Sequence, residues 1–258
     1  FRSRSVDSVI EEMKLLRDRY GVKAVAFVDD LFLLNKKRAY EFCDKLLSQG
    51  IFMMWSCNGR VNLVDKDLLN KMRSAGCVMI GYGIESGSQT ILNEMNKKAT
   101  VEQAKKAIDL TWKSGITPFP YMLVGMPSET EDTIKETMEF CKEIGIVEGF
   151  GFLAPIPGTP IFSQAMEAGK ITSLKNLVEK WEEWQKRPIV NLTSLSTERL
   201  IALKETAEKM IANHVVRNHK KLILRRLFYY YRVHGVAAIM SKLGEMGVKF
   251  LRRNFRKS

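Results

Sequence analysis

The sequence contains few cysteines and none of the short cysteine pairs that mark metal or redox sites. Its four cysteines stand far apart, without CxxC or CxxxC spacing, at Cys43, Cys57, Cys77 and Cys141. The three histidines likewise show no metal-ligand spacing with acidic residues or cysteines. We therefore interpret the cysteines as buried, reduced thiols of a cytosolic protein.

The sequence also lacks any apolar run near the roughly 20 residues that a membrane span requires. Nothing at its start resembles a signal peptide. Because the first residue is Phe1 rather than methionine, we interpret the sequence as a piece of something longer. Apolar residues make up 45% and charged residues 27% of the 258 positions, which suits a globular protein with a substantial core.

Acidic residues are almost absent from the last part of the chain. From His214 to Ser258, twelve basic residues face one acid, Glu245, so this stretch carries +11 of the net charge of +12. The first 213 residues are therefore close to neutral. Such an asymmetry indicates a domain boundary.

What the sequence does contain is an alternation of strand-like and helix-like segments, with glycine at nearly every helix end. Strands are predicted over Lys23–Val28, Ile51–Cys57, Cys77–Gly83, Thr117–Val124 and Val147–Leu153. Helices are predicted over Val6–Tyr20, Lys36–Gln49, Lys66–Ala75, Val101–Ser114 and Glu131–Glu143. This repetition predicts an α/β fold with a parallel sheet, either open or barrel-shaped.

The pattern changes after residue 153. The segment Ala154–Pro160 is too rich in proline and glycine for a strand or a helix, and it is predicted to be a rigid loop. Helices are predicted over Lys175–Arg187 and Thr197–Asn213, and no further strand is predicted. We therefore divide the chain into an α/β core, residues 1–165, and an α-helical, basic C-terminal region, residues 166–258.

Polar residues follow the predicted strands at the edge where parallel sheets bind ligands. Asp29 and Asp30 follow the first strand and could bind an amine or a metal, act as a base, or simply form a turn and a helix cap. Glu85 and Ser86 lie in the sequence GIESGS after the third strand, where small neighbours let a ligand approach the backbone.

Other polar residues are ambiguous when taken alone. The sequence GMPSET is typical of a strand-to-helix turn, with Ser128 as the cap and Glu129 or Glu131 complementing the helix dipole. Lys97 is either a solvated side chain or a ligand for an anion. Arg60 either holds a ligand or forms a salt bridge between two strand-helix units.

Six motifs are more specific together than apart. In chain order they are FVDDLFLLN, the Trp55–Arg60 segment, GIESGS, the Leu92–Glu102 segment, GMPSET and PIPGTP. Over about Ser3–Phe162 they resemble the radical S-adenosylmethionine (SAM) superfamily, most closely the branch that usually carries a cobalamin-binding domain ahead of its barrel. The resemblance implies a partial (β/α)₆, TIM-like barrel missing its first strand, followed by an α-helical C-terminal extension.

The resemblance also implies an activity. In the family, a reduced [4Fe-4S] cluster cleaves SAM to a 5′-deoxyadenosyl radical, which abstracts a hydrogen atom from an unreactive position. The expected class is a cobalamin-dependent methyltransferase or a related C–H-functionalising enzyme, with cobalamin on an upstream domain. It would act on a small-molecule or lipid substrate and take electrons from a reductant such as flavodoxin or ferredoxin.

Matching the family's motifs residue by residue gives an expected SAM site. Its members are Asp29, Asp30, Arg60, Glu85, Ser86, Lys97, Gly125, Glu129 and Pro155. Asp29 and Asp30 would contact the methionyl amine. Glu85 and Ser86 would contact the ribose or methionyl part, and Lys97 would pair with the carboxylate. The glycine and the second glutamate would border the adenine, and the proline would lie in the last loop of the barrel.

One defining feature of the family is absent, the CxxxCxxC motif that holds the cluster, and so is the first barrel strand. Because Phe1–Ser8 resembles the segment just after that motif, truncation explains both absences, and the cluster ligands are expected upstream of Phe1. The chain as given is therefore expected to be an inactive fragment with an exposed sheet edge.

Two other functions stay open from the sequence. An ordinary TIM-like metabolic enzyme could use Asp29, Glu85 and Arg60 directly, although it should then contain a first strand. A binding module could attach its basic C-terminal helices to an anionic membrane, with nucleic acid the less favoured partner. The expected location is the cytoplasm, with peripheral membrane contact through the basic tail.

Overall fold

The computed structural model describes residues 3–145, 150–181, 187–219 and 224. The start of the predicted strand Val147–Leu153 lies outside the described residues. The same holds for the end of the predicted helix Lys175–Arg187 and for almost all of the basic segment after His219.

Five parallel strands form one sheet. They are β1 (Ala24–Ala26), β2 (Met54–Gly59), β3 (Cys77–Glu85), β4 (Thr117–Val124) and β5 (Phe150–Phe152). The strands pair in chain order, and every pair is parallel. Because no strand switches position, the sheet is wound in one direction, as in a TIM-like barrel, and the predicted partial barrel is confirmed.

Helices connect the strands and continue beyond them. They are α1 (Val6–Tyr20), α2 (Lys36–Ser48), α3 (Lys66–Ser74), α4 (Gln89–Glu94), α5 (Val101–Lys113), α6 (Glu131–Ile144), α7 (Pro160–Glu167), α8 (Leu174–Trp181) and α9 (Thr197–Asn218). The predicted α-helical C-terminal extension is confirmed over its described residues. The prediction missed α7, which begins at Pro160 because the Thr159 side chain accepts a hydrogen bond from the Phe162 amide.

Capping residues explain why the helices begin where the sequence predicts. The Ser5 side chain accepts a hydrogen bond from the Ser8 amide, and Asp65 caps α3 in the same way. Thr100 and Gln103 form the predicted capping box of α5. Each cap satisfies amide groups that the helix cannot satisfy itself.

Several predicted boundaries differ from the observed ones, and two of the differences have a clear physical cause. The second strand begins at Met54 rather than Ile51, because the Ile51 amide donates to the Leu46 carbonyl and so still closes the end of α2. Helix α9 runs to Asn218 rather than Asn213, because its buried apolar positions continue through Val215.

The helix-facing side of the sheet is the main hydrophobic core. Trp55 of β2 is almost completely buried among three phenylalanine rings, and its indole nitrogen donates to the Ala75 carbonyl at 2.8 Å. On β3, the buried Tyr82 hydroxyl shares a 2.8 Å hydrogen bond with Thr111 of α5. All four cysteines are buried and free, as predicted.

Helix α9 belongs to the same core, since Leu200, Ala207, Ile211 and Val215 pack into it. A smaller hydrophobic cluster lies between α7 and the chain before α9, and its members are Ala165, Ile171, Leu177, Ile189 and Val190. The boundary after residue 165 stays a prediction.

Helix α9 also runs parallel to α6. Arg199 at its start pairs with Glu131 at the start of α6, with two contacts of 2.7 Å. His219 at its end contacts the Lys142 carbonyl in the last turn of α6, at 3.1 Å. Midway, Glu208 accepts a hydrogen bond from the Phe150 amide, so α9 covers the outer edge of β5. Within the described residues, no helix is long and apolar enough to cross a membrane.

The connection between α3 and β3 offers a test of this packing. Gly76 and Gly21 both have left-handed backbones, with φ of 95° and 65°, so alanine strains either position. A Cβ at Gly76 would also collide with the Met53 carbonyl, whereas one at Gly21 would meet nothing within 4 Å. We expect Gly76→Ala to lower the free energy of unfolding by about 3 kcal/mol and Gly21→Ala by about 1 kcal/mol in urea denaturation. Equal losses would contradict the described packing.

Candidate functional site

A polar cleft of about 450 Å³ opens at the carboxyl ends of β2 and β3, beside β4. We call it the strand-end cleft. Its lining includes Asp30, Asn58, Gly59, Arg60, Gly83, Glu85, Asn96, Lys97 and Tyr121. The cleft lies where parallel α/β sheets place their ligands, because all strands deliver their carboxyl ends to one edge.

An ion pair between Glu85 and Lys97 lies in the cleft. The Lys97 ammonium is 2.9 Å from a Glu85 carboxylate oxygen, and the side chains are only 16% and 26% exposed for glutamate and lysine respectively. The Arg60 guanidinium donates to the Lys97 main-chain carbonyl at 2.6 Å. Arg60 therefore holds the loop that carries Lys97, which is neither of the two roles that the sequence suggested for it.

The backbone around this ion pair is strained. Glu85, Asn96 and Lys98 have positive φ angles of 75°, 49° and 52°, and no other non-glycine residue in the described part of the chain does. Such conformations cost free energy and persist only where the surroundings impose them. All three lie at the cleft or beside it, so the fold holds this loop in one shape.

Two glycines of β3 make room for side chains that line the cleft. A Cβ at Gly81 would collide with the Asn58 side chain and lie 2.9 Å from the Tyr121 ring. A Cβ at Gly83 would lie 2.6 Å from a Glu85 carboxylate oxygen. The Tyr121 hydroxyl donates to Asn58 at 3.3 Å, so a polar bridge crosses the open strand surface.

The structure separates the two aspartates that the sequence placed together. Both are exposed, but Asp30 lines the strand-end cleft, whereas Asp29 lines a different groove between α1 and β1. Pro155 is buried in the loop before α7 and does not line the cleft.

Ser86 also lies away from the cleft. It is buried, and its hydroxyl is 3.0 Å from the Thr137 hydroxyl of α6. The Thr137 hydroxyl in turn accepts from the Gly87 amide at 3.0 Å, so this turn is fastened to α6. These contacts join residues about 50 positions apart, and no local pattern reveals them.

The GMPSET turn differs from its predicted form. Thr130, not Ser128, caps α6, and Ser128 instead bonds Glu94. Glu129 therefore points into the protein rather than along the helix, where it is 1% exposed and accepts a hydrogen bond from the Gly125 amide. Its other oxygen, Oε1, has no hydrogen-bond partner among the described residues. Burial raises the pKa of Glu129 from its ordinary value of 4.5 to about 7.

Of the nine predicted site residues, the structure brings four together in the cleft, namely Asp30, Arg60, Glu85 and Lys97. Sequence reasoning missed Asn58 and Tyr121. Asn58 directly precedes the predicted Arg60 turn, and Tyr121 alternates with buried Pro120 and Met122 along β4. Both positions could have been found by asking which side chains face the inside of the barrel.

The cleft can receive a ligand that carries both charges. Carboxylates at Glu85 and Asp30 suit an ammonium or another cation, and the Lys97 ammonium suits a carboxylate. Because Glu85 and Lys97 already pair with each other, they can exchange this ion pair for one bond each to such a ligand, and the net charge of the cleft with its ligand does not change.

This singly wound half-barrel, with its polar cleft at the strand ends, defines a TIM-like α/β enzyme domain. The family model of the radical SAM superfamily matches residues 1–141, and the chain belongs to that superfamily. Its members are enzymes that use SAM and a [4Fe-4S] cluster.

Curated relatives cover most of this chain. An uncharacterised methyltransferase, PH0819, of Pyrococcus horikoshii is 28% identical over 243 residues, which are 91% of this chain and 52% of that protein. The anaerobic magnesium-protoporphyrin IX monomethyl ester cyclase of Cereibacter sphaeroides is 26% identical over 242 residues, 91% of this chain and 36% of the cyclase. The chain thus spans about half or less of the length of these relatives.

Among solved structures, the fold is similar to that of the radical SAM methyltransferase TsrM from Kitasatospora setae, which was determined with cobalamin and a [4Fe-4S] cluster. The TM-score is 0.57 at 20% identity, over 64% of this chain and 34% of that one. The cobalamin-dependent enzyme OxsB gives a TM-score of 0.51 at 17% identity, over 81% and 32% of the two chains. At these identities the likeness shows the fold.

The described residues do not fit a [4Fe-4S] cluster. Iron is bound by thiolates, but burial raises the pKa of the Cys43 thiol to about 12 and also raises the pKa of Cys77. No three metal-binding side chains come together within the described part of the chain. The cysteines of this chain are therefore core residues.

Glu129 makes the stability of the fold depend on pH. Its folded-state pKa lies above its unfolded value, so the folded state gains stability from the proton below about pH 4.5 and loses it as the pH rises to about 7. We expect Glu129→Gln to raise the free energy of unfolding by about 3 kcal/mol at pH 8 and by little at pH 4.5, measured by urea denaturation. Glu102→Gln, at an exposed side chain, is the control. A gain that does not vary with pH would contradict the assignment.

Proposed function

We propose that the strand-end cleft binds the methionyl end of SAM. The observation that carries this proposal is the Glu85–Lys97 ion pair, which is partly buried and lies at the carboxyl edge of the sheet. The methionyl end carries an ammonium, a carboxylate and a nearby sulfonium. Glu85 would receive the ammonium, Lys97 the carboxylate, and Asp30 adds negative charge beside them.

The rest of the cleft supports the same ligand. Gly81 and Gly83 let the side chains of Asn58, Tyr121 and Glu85 lie close against β3, so the polar groups of the cleft are held at the strand surface. Arg60 keeps Lys97 in place by holding its carbonyl, and it leaves the lysine side chain free to change partners. Once bound next to a reduced cluster, SAM would supply the hydrogen-abstraction chemistry of the superfamily, while these residues would bind and orient its polar end.

Of the other predicted members, Gly125 and Glu129 would act indirectly. Glu129 holds the Gly125 amide at the end of β4, and this fixes the turn next to the cleft. Asp29, Ser86 and Pro155 lie in other surroundings, and we assign them no contact with SAM in the proposal.

For the whole protein we propose cobalamin-dependent methyl transfer or a related C–H functionalisation. The proposal is supported by relatives whose names include a methyltransferase and a cyclase, and by fold neighbours that are cobalamin-dependent. Within the described residues, His214 and His219 lie near the end of α9 and just after it, and neither lines the strand-end cleft. No step through cobalamin or the cluster is assigned to this chain.

The proposed partners are a small-molecule or lipid substrate and a reductant such as flavodoxin or ferredoxin. Peripheral contact of the basic tail with an anionic membrane is proposed from its charge. After His219 the sequence contains eleven basic residues and one acidic residue. Membership of the radical SAM superfamily favours the proposed SAM-dependent activity over that of an ordinary TIM-like metabolic enzyme.

Binding of S-adenosylhomocysteine tests the cleft, because this molecule keeps the methionyl ammonium and carboxylate. We expect the chain to bind it, and Glu85→Gln and Lys97→Met each to weaken binding about tenfold in titration calorimetry. Lys98→Met is the matched control, since its side chain is exposed and does not line the cleft. Absence of binding by the unaltered chain, or equal weakening in the control, would refute the proposal.

A further inference from the structure

The end of the barrel opposite the strand-end cleft is built from the connections that lead from each helix into the next strand. We call this surface the barrel base. It includes Tyr20–Lys23 before β1, Gln49–Met53 before β2, Ala75–Gly76 before β3 and Ser114–Ile116 before β4. Because all the strands are parallel, these connections share one end of the sheet.

Two aromatic rings stand out from the barrel base. Phe52 is 85% exposed and Tyr20 is 63% exposed, and they lie on neighbouring connections. Phe52 lines a shallow groove together with Arg17 and Lys23. A phenylalanine ring gains considerable free energy from leaving water, so exposure of this degree next to a second ring indicates a surface that is covered in use.

The charge of the barrel base is positive. Arg19, Lys23 and Arg73 form no ion pair with any acidic side chain that the structure describes. The acids near the ends of the helices at this end are already neutralised, Asp18 by Arg17, Asp109 by Lys113 and Glu143 by Lys105. Basic residues near helix ends are favoured by the helix dipole, but that preference does not explain two exposed rings among them.

Helix α9 ends at the same end of the sheet. His219 contacts the Lys142 carbonyl at the end of α6, next to the barrel base, and the sequence continues with Lys220 and Lys221. The described chain therefore ends on the β5 side of the sheet, at the same end of the strands as the barrel base and away from the cleft.

We propose that the barrel base is a docking surface for an anionic lipid bilayer. Aromatic rings beside cations are suited to the headgroup region, where the rings leave water and the cations meet phosphates. The Tyr20 ring already lies under the Arg19 guanidinium, with 5.7 Å between guanidinium carbon and ring centre, so a ring and a cation are presented together at the barrel base. This inference does not depend on what the cleft binds, and it adds a folded surface to the contact proposed for the tail.

Vesicle binding by the full chain tests the proposal. We expect sedimentation with vesicles containing 30% phosphatidylglycerol in phosphatidylcholine, and none with phosphatidylcholine alone. The double substitution Tyr20→Ser with Phe52→Ser should weaken binding to the anionic vesicles about tenfold. The control is Ile156→Ser, which removes a similarly exposed apolar side chain from a loop outside the base. Unchanged binding by the double variant would assign the contact to the tail alone and overturn the proposal.

A reporter at position 52 gives an independent measurement. Since all four native cysteines are buried, Phe52→Cys can be labelled selectively with an environment-sensitive dye. We expect a blue shift of its emission with anionic vesicles and no shift from the same dye at Ile156→Cys. No shift at position 52, or an equal shift with duplex DNA, would refute a lipid-facing base.

Discussion

Every strand of this sheet runs in the same direction as its neighbours, and this constraint gives the molecule two chemically different ends. Strand-to-helix turns meet at one end, where they place Glu85, Lys97 and Arg60 around an open cleft. Helix-to-strand connections meet at the other end, where basic residues of the last helical turns collect. An antiparallel sheet would place part of each set at both ends.

Local signals in the sequence predicted the elements well, because caps and glycines act over a few residues. Helix α1 and strand β4 have their predicted bounds, and the capping box at Thr100 is present. Errors arose where a boundary depended on a contact that the sequence does not display. The Ile51 amide closes α2 instead of starting β2, and α9 continues because its buried face does.

The cleft was only partly predictable for a similar reason. Motif position identified the strand ends, but the direction of each side chain depends on tertiary partners. Ser86 turns towards Thr137, and the cap of α6 lies two residues later than predicted, at Thr130, so Glu129 faces inward. Gly81 and Gly83 of β3 have no side chains, so the Asn58, Tyr121 and Glu85 side chains can lie close against this strand. A motif search does not detect such packing.

Helix α9 spans the distance between the two ends of the sheet. Its 22 residues extend about 33 Å, from Arg199 beside the turn into α6 to His219 at the opposite end. The Debye length in physiological salt is only about 8 Å, so solvent ions screen charges over such a distance. The positive field of Arg19, Lys23 and Arg73 at the barrel base therefore does not reach the Glu85–Lys97 pair. Ligand exchange in the cleft and electrostatic attachment at the other end can each respond to salt and charge without disturbing the other.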